Sequence, residues 1–320
     1  MPLLEIKNLT TSYFSDGKEL KAVNDVSLSL ESGQVLGIVG ESGCGKSTLA
    51  LSMMRLIRPP GKITGGSIMF DGKQILGLDG ESMRKLRGSE ISMIFQEPLS
   101  ALNPVLRIGH QICEAIHAHR EIDKGEAKKL AIELLEKVQI PEPKARFDAY
   151  PHQLSGGMRQ RVMIAMAAVL KPKLIIADEP TTALDVTIQA QILNLLKEMI
   201  GEFGTSLIIV SHDLGVVSDL ADRVAVMYAG RIVECGERGE VFKNPAHPYT
   251  RALFDSYIRI DDDRGKINAI EGSVPDLSSL PPGCAFNPRC PIKNDNCVSA
   301  EPEIKEIGAG HFIRCGKWSG

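Results

Sequence analysis

Residues Gly40 to Ser47 read GESGCGKS, an order that can wrap a chain of phosphates. It fits the pattern G-x-x-x-x-G-K-[ST]. Glycines let consecutive backbone N–H groups curl around anionic oxygens, and a helix opening at the end of the loop adds its positive dipole end. Lys46 is then a point charge for the β- and γ-phosphates of a nucleotide, and the Ser47 hydroxyl a ligand for Mg²⁺. The nucleotide-contacting run is Gly40, Glu41, Ser42, Gly43, Cys44, Gly45, Lys46, Ser47 and Thr48.

A second chemical element follows an apolar stretch, Leu174 to Ala177, which ends in Asp178 and Glu179. A carboxylate at the C-terminal end of a strand, beside a phosphate loop, is positioned to hold Mg²⁺ directly or through water. Successive strand residues alternate faces, so Glu179 is expected to point elsewhere and to accept a proton from an attacking water as general base. Ser155, Gly156 and Gly157, at the start of an expected helix, form a further candidate anion site.

Cysteine supplies the third kind of chemistry. Cys44, Cys113 and Cys235 are scattered, whereas Cys284, Cys290, Cys297 and Cys315 crowd the end of the chain. In an intracellular setting such a cluster suggests a metal more than disulfides. The spacing C-x5-C-x6-C-x17-C is unlike the short pairs of structural zinc sites and does not copy common ferredoxin runs, so residue spacing alone leaves metal and disulfides open.

The elements expected to position these groups alternate. Val26, Leu28 and Leu30 show the period-two pattern of a half-buried strand, and Val35 to Val39, Ile91 to Phe95, Leu174 to Ala177 and Leu207 to Val210 read as buried strands. Between them, Leu130, Leu134, Leu135 and Val138, then Ile188, Ile192, Leu195, Leu196 and Met199, recur at helical spacing. A helix begins near Ser47, and Arg223 to Cys235 reads as a hairpin turning at Ala229-Gly230. Strands alternating with helices imply an α/β domain with a largely parallel central sheet. Beyond about Glu240 the acidic run Asp261 to Asp263 and the proline-rich SLPPGCAFNPRCP suggest an irregular appendage held by something other than a hydrophobic core.

Bulk properties set the frame. The 320 residues allow one large domain with an appendage, or two domains, and a hydrophobic fraction of 43% with 24% charged residues is ordinary for a globular chain. A net charge of −3 gives no support to nucleic-acid binding. The longest strongly apolar run, Val162 to Leu170, is too short to span a membrane, and MPLLEIKNL lacks the layout of a secretory signal. The expected location is cytoplasmic, with any membrane role exercised through a partner.

LSGGMRQR, Leu154 to Arg161, resembles the signature of the ABC-family ATPases, departing from the most common form only at Met158, where glutamine is usual. The resemblance covers roughly residues 1 to 240. It implies an ABC-type P-loop ATPase fold: a mostly parallel core sheet, an antiparallel β subdomain and a helical subdomain at about 97–165. It also implies two such domains head to tail, with ATP held between the phosphate loop of one and Ser155, Gly156 and Gly157 of the other. By the same resemblance Tyr13 stacks on adenine, Gln96 touches Mg²⁺ and the attacking water, Asp185 in the ALD triplet communicates across the dimer, and His212 contacts the γ-phosphate.

FSDGKELKAVNDVSL, IFQEPLSALNPVLRIG and NPAHPYTRAL look like the ATP-binding subunits of dipeptide and oligopeptide importers, of the D type, whose C-terminal extension resembles residues 241–320 here. That branch implies a second ATPase subunit (a heterodimer, or a homodimer), two membrane permeases and, indirectly, an extracytoplasmic peptide-binding protein. The chain is then peripheral to the cytoplasmic face of the membrane. The branch favours a [4Fe–4S] cluster on Cys284, Cys290, Cys297 and Cys315, with Zn²⁺ as the alternative. Competing readings are an importer of nickel or another small solute and a non-transport soluble ABC ATPase.

Overall fold

The computed structural model describes residues 1–15, 17–182, 184–256 and 270–318. The acidic run at 261–263 and Ala183 of the ALD triplet lie outside them. The chain forms two compact units, one from residues 1–76 and 210–320, the other from 77–209.

In the first unit, the alternating segments near the N-terminus become an antiparallel sheet in the order Lys18–Leu30, Leu4–Ser15, Gly61–Phe70, Lys73–Gln74. Its inward side chains, among them Ile6, Leu9, Val26, Leu30 and Ile68, are buried. A second run of strands is ordered Lys305–Gly308, His311–Ile313, Arg231–Glu237, Arg223–Tyr228, Val35–Val39. Val35–Val39 is buried at every residue and pairs in parallel with Arg223–Tyr228. A strand covered on both faces must be apolar throughout, which explains the uninterrupted run. Arg223–Tyr228 and Arg231–Glu237 form the expected hairpin, with Ala229 at φ 46° and Gly230 at φ 82° in its turn.

The appendage departs from expectation. It contains the helix Pro248–Asp255 and a short hairpin, Lys305–Gly308 with His311–Ile313, that adds to the edge of Arg231–Glu237 through Glu234↔Ile313 and Cys235↔Phe312. It also carries an apolar core: Tyr249 and Phe286 are buried and pack with Tyr228, ring centroids 4.5–5.5 Å apart.

In the second unit the strands run in the order Ser206–Ser211, Leu174–Asp178, Ile91–Ile94, the latter two parallel. The helices Ile108–His117, Lys124–Lys137, Pro143–Phe147 and Gly156–Ala168 pack on one another, and Gly156–Ala168 also lies against Val186–Phe203 and Ile91–Ile94. Arg161, on the signature helix, is buried. Its guanidinium donates to the Val138 carbonyl at 2.8 Å and to the side-chain oxygens of Gln139 and Gln191 at 3.2 and 3.0 Å, tying three segments together. Among the described residues no helix is long and apolar enough to cross a membrane.

Candidate functional site

The GESGCGKS segment forms a tight loop between Val35–Val39 and the helix Lys46–Met53. Two of its glycines are required by space as well as by backbone angle. Gly45 has φ 106°, and a Cβ there would collide with the Ala22 carbonyl oxygen; Gly40 has φ 155°, and a Cβ there would collide with the Met227 carbonyl oxygen. Lys46 is 5% exposed and donates to the carbonyls of Gly40 and Glu41 at 2.7 and 3.0 Å, so its ammonium spans the loop. Ser42 and Gly43 are exposed, while Ser47 and Thr48 are half-buried. Cys44 is fully buried, and burial pushes its thiol up despite the opposing charge of Lys46. The thiol is therefore not presented to a reagent in solution.

Two further expected contacts lie in the same unit. Tyr13, on Leu4–Ser15, is half-buried with its ring against Gly61, where a Cβ would come within 2.6 Å of the ring. His212 is exposed, immediately after Ser206–Ser211, and Asp213 behind it caps the helix Leu214–Leu220 by accepting from the Gly215 N–H at 2.8 Å.

The other unit gathers the carboxylates. Asp178 is 5% exposed and ends the strand Leu174–Asp178. Strand alternation does not govern Glu179. The strand has already ended, and Glu179 takes a left-handed backbone with φ 48°. Gln96 Nε2 and Thr182 Oγ1 donate to the same Glu179 oxygen at 3.0 and 2.8 Å. The structure thus brings Gln96 and Glu179 together and adds Thr182, whose place three residues after Glu179 could have signalled a turn partner.

Ser155 caps the helix Gly156–Ala168, its hydroxyl accepting from the Met158 N–H at 3.3 Å. The contact uses the backbone of residue 158, so methionine in place of the usual glutamine leaves it intact. Ser155 and Gly156 are exposed. Gly157 is small because a Cβ would stand 2.8 Å from the Ile188 side chain. Asp185 is exposed and caps the helix Val186–Phe203 by accepting from the Ile188 N–H at 2.9 Å.

Cys284, Cys290, Cys297 and Cys315 all line one cavity of about 300 Å³, together with His247 and Phe286. Cys284 donates its backbone N–H to the Cys297 carbonyl at 2.8 Å, and at Gly283, φ 71°, a Cβ would collide with that same carbonyl oxygen. Burial pushes the Cys284 thiol up to about 11, and the other three cysteines add to the shift. The donor set suits a thiolate-bound metal in kind and number. Among the described residues, though, no group of three or more His, Cys, Asp or Glu side chains is drawn in to metal-holding geometry.

Comparison with known proteins bears on all of these features. The model of a family described as ABC transporter matches residues 23–182, and that of oligopeptide/dipeptide transporter, C-terminal region, matches 233–297. A relative from Brucella melitensis named as a peptide import ATP-binding protein is 49% identical, covering 99% of this chain and 97% of its own length. One of the same name from Brucella abortus is 48% identical, covering 98% and 94%. A solved dimeric ATP-binding cassette, in a post-hydrolysis state bound to ADP and Pi, aligns with a TM-score of 0.67 at 30% identity, over 73% of this chain and 98% of that one. The cbiO1 protein of Clostridium perfringens, part of an ABC transporter complex, aligns with a TM-score of 0.65 at 30% identity, over 76% and 91%.

Proposed function

The chain belongs to the ABC transporter family of ATPases, and from that premise we propose that it powers import of di- or oligopeptides through partner membrane permeases. It hydrolyses ATP, as the family does. The peptide cargo is supported by the match of residues 233–297 to the C-terminal region of oligopeptide/dipeptide transporters and by the names of the Brucella relatives.

In this reading the 40–48 loop and Tyr13 bind the nucleotide, and Lys46 neutralises its β- and γ-phosphates. Ser47, Asp178 and Gln96 offer the hard oxygen ligands that Mg²⁺ prefers. Glu179 accepts the proton of the attacking water, and His212 contacts the γ-phosphate. Ser155, Gly156, Gly157 and Asp185 serve the ATP of an opposing ATPase subunit, a second related chain or a copy of this one. One observation carries the two-chain site. The same chain holds a complete phosphate loop and, separately, an exposed serine-glycine helix tip. A 1–240 ATPase domain is followed by a 241–320 extension. The permeases hold the assembly at the cytoplasmic face of the membrane, and peptide reaches it through an extracytoplasmic binding protein.

The extension's four cysteines hold a [4Fe–4S] cluster, with Zn²⁺ as the alternative. Their shared cavity and soft donor set support it. Such a group would cross-link the segment around residues 284–290, the short helix Asp295–Ser299 and the residues that follow His311–Ile313.

Two measurements test this. Vesicles containing the permeases, both ATPases and the binding protein should take up a tripeptide only with ATP; uptake of nickel instead, or of neither, refutes the cargo. Anaerobically purified protein should be brown and carry about four iron atoms per chain; colourless, iron-free protein removes the cluster, and bound zinc selects the alternative.

A further inference from the structure

We propose that Arg289, in the cysteine-bearing extension, is a positioning residue for the phosphate loop, holding and neutralising Glu41. The inference rests on the reading that ATP binds at residues 40–48.

Glu41 is the second residue of the loop, and each of its polar groups is engaged. Its carbonyl accepts from Lys46 Nζ at 3.0 Å and from the Cys44 N–H at 3.3 Å. Its N–H donates to Tyr249 Oη at 2.9 Å. Its carboxylate takes a two-pronged contact from Arg289, 2.8 Å from one guanidinium nitrogen and 3.0 Å from the other. Two of these partners stand more than two hundred residues away in sequence, beyond position 240.

Arg289 is itself fixed. Its side chain is 5% exposed, its Nε donates to the Glu271 carbonyl at 2.9 Å, and its guanidinium lies over the Tyr228 and Phe286 rings at 5.9 and 6.0 Å. A planar fork held in place by these contacts matches a carboxylate in a way that a lysine cannot. The aromatic trio behind it also carries Tyr249, so one packed cluster delivers both contacts to Glu41.

The electrostatic consequence follows from where Glu41 sits. An unpaired carboxylate in a loop that must receive a triphosphate would repel it at short range, and the loop would lose a fixed anchor. Pairing with Arg289 cancels that charge and sets the backbone from which N–H groups meet the phosphates.

The test compares ATP affinity of the purified full chain, and KM and kcat of the assembled transporter, across variants. Arg289→Gln is expected to weaken ATP binding about ten- to a hundredfold, the range of a charge-assisted hydrogen bond, with kcat at saturating ATP within about twofold. Adding Glu41→Gln to that variant removes the stranded carboxylate and should recover most of the affinity, a rescue that a purely structural role for Arg289 would not give. Unchanged affinity in Arg289→Gln, or a loss that Glu41→Gln does not relieve, overturns the proposal. If Arg289→Gln melts too low to assay, Arg289→Lys carries the test: lysine keeps the charge but not the two-pronged contact, so KM for ATP should rise, and an unmoved KM overturns the proposal. Lys46→Ala separates the two readings. Lost binding there, with normal binding in Arg289→Gln, sinks only the Arg289 inference, whereas intact binding in Lys46→Ala sinks the phosphate-loop reading beneath it.

Discussion

Replacing Glu179 with glutamine should stop turnover while leaving nucleotide binding in place, and the local geometry explains why the substitution is clean. Gln96 Nε2 and Thr182 Oγ1 both donate to a single Glu179 oxygen, at 3.0 and 2.8 Å. A glutamine amide oxygen in that position accepts the same two hydrogen bonds, and its nitrogen fills the space of the other carboxylate oxygen. The left-handed backbone, φ 48°, is no harder for glutamine than for glutamate. What disappears is the ability to accept a proton. General-base assistance is worth roughly 10²–10⁴ in rate, or about 3–5 kcal/mol of barrier. The purified Glu179→Gln chain should therefore bind ATP within about threefold of the native affinity, since the hydrogen bonds from Gln96 and Thr182 survive the change. Steady-state phosphate release by the assembled transporter should fall by at least about a hundredfold. With hydrolysis blocked, ATP should also convert the chain to a persistent dimer, visible as an earlier-eluting species. Turnover that survives unchanged would remove Glu179 from the base role. A variant that lost binding and turnover together, with a lowered melting temperature, would show that the Gln96–Glu179–Thr182 contacts hold the structure more than they serve the chemistry.

Gly45→Ala should weaken ATP binding at least about tenfold, because φ 106° and the approach of the Ala22 carbonyl oxygen both exclude a side chain; native affinity by titration would refute the fit argued for the loop. Asp25 gives a pH signature. Burial raises its carboxyl, but the Asn8 amide and the guanidinium groups of Arg314 and Arg231 outweigh that and hold it below the usual 3.8. Its folded value thus lies below its unfolded one, so its contribution is present above about pH 4 and lost as the pH falls through the folded value. Melting of Asp25→Asn should accordingly be less sensitive to acid below about pH 4 than the native chain, and parallel melting curves would contradict this. With the proposed cluster in place, Cys290→Ser should remove most of its iron and, through its neighbour Arg289, raise KM for ATP. Iron loss with an unmoved KM would show that the extension keeps Arg289 in place without the cluster.

Much of the fold was legible because its signals are local. Val35–Val39, Leu174–Asp178 and Ser206–Ser211 are short, buried and apolar apart from the terminal Asp178, Ser206 and Ser211, and the expected strands differ from them by at most one residue at either end. Asp185 and Ser155 stand where helix caps must stand, and both accept from the backbone three residues on. Illegible features depend on distant partners. The Lys305–Gly308 and His311–Ile313 strands are too short to show alternation; His311–Ile313 forms on the edge of Arg231–Glu237, and Lys305–Gly308 pairs with it in turn. Arg161 looks like one more exposed charge in a basic signature until the Val138 carbonyl, Gln139 and Gln191 close around it. The positive φ of Glu179 leaves no trace in a run that otherwise reads as strand.

The appendage shows how this limit can mislead. Its composition, rich in proline and cysteine, suggests a segment without a core, yet three aromatic rings bury it against the end of Arg223–Tyr228. Glu234, fully buried in the neighbouring strand, binds it again. Its carboxylate accepts from the N–H groups of Ala246 and His247 at 2.8 Å each and makes a third 2.8 Å contact with His311. A buried carboxylate is tolerated only where donors surround it, and here all three come from beyond position 240. Removing the extension would therefore leave a bare charge in the sheet and the Tyr228 ring uncovered, besides freeing Glu41. The ATPase unit and its tail are thus one folding problem, and a truncation near residue 240 should yield an aggregating chain instead of a minimal enzyme.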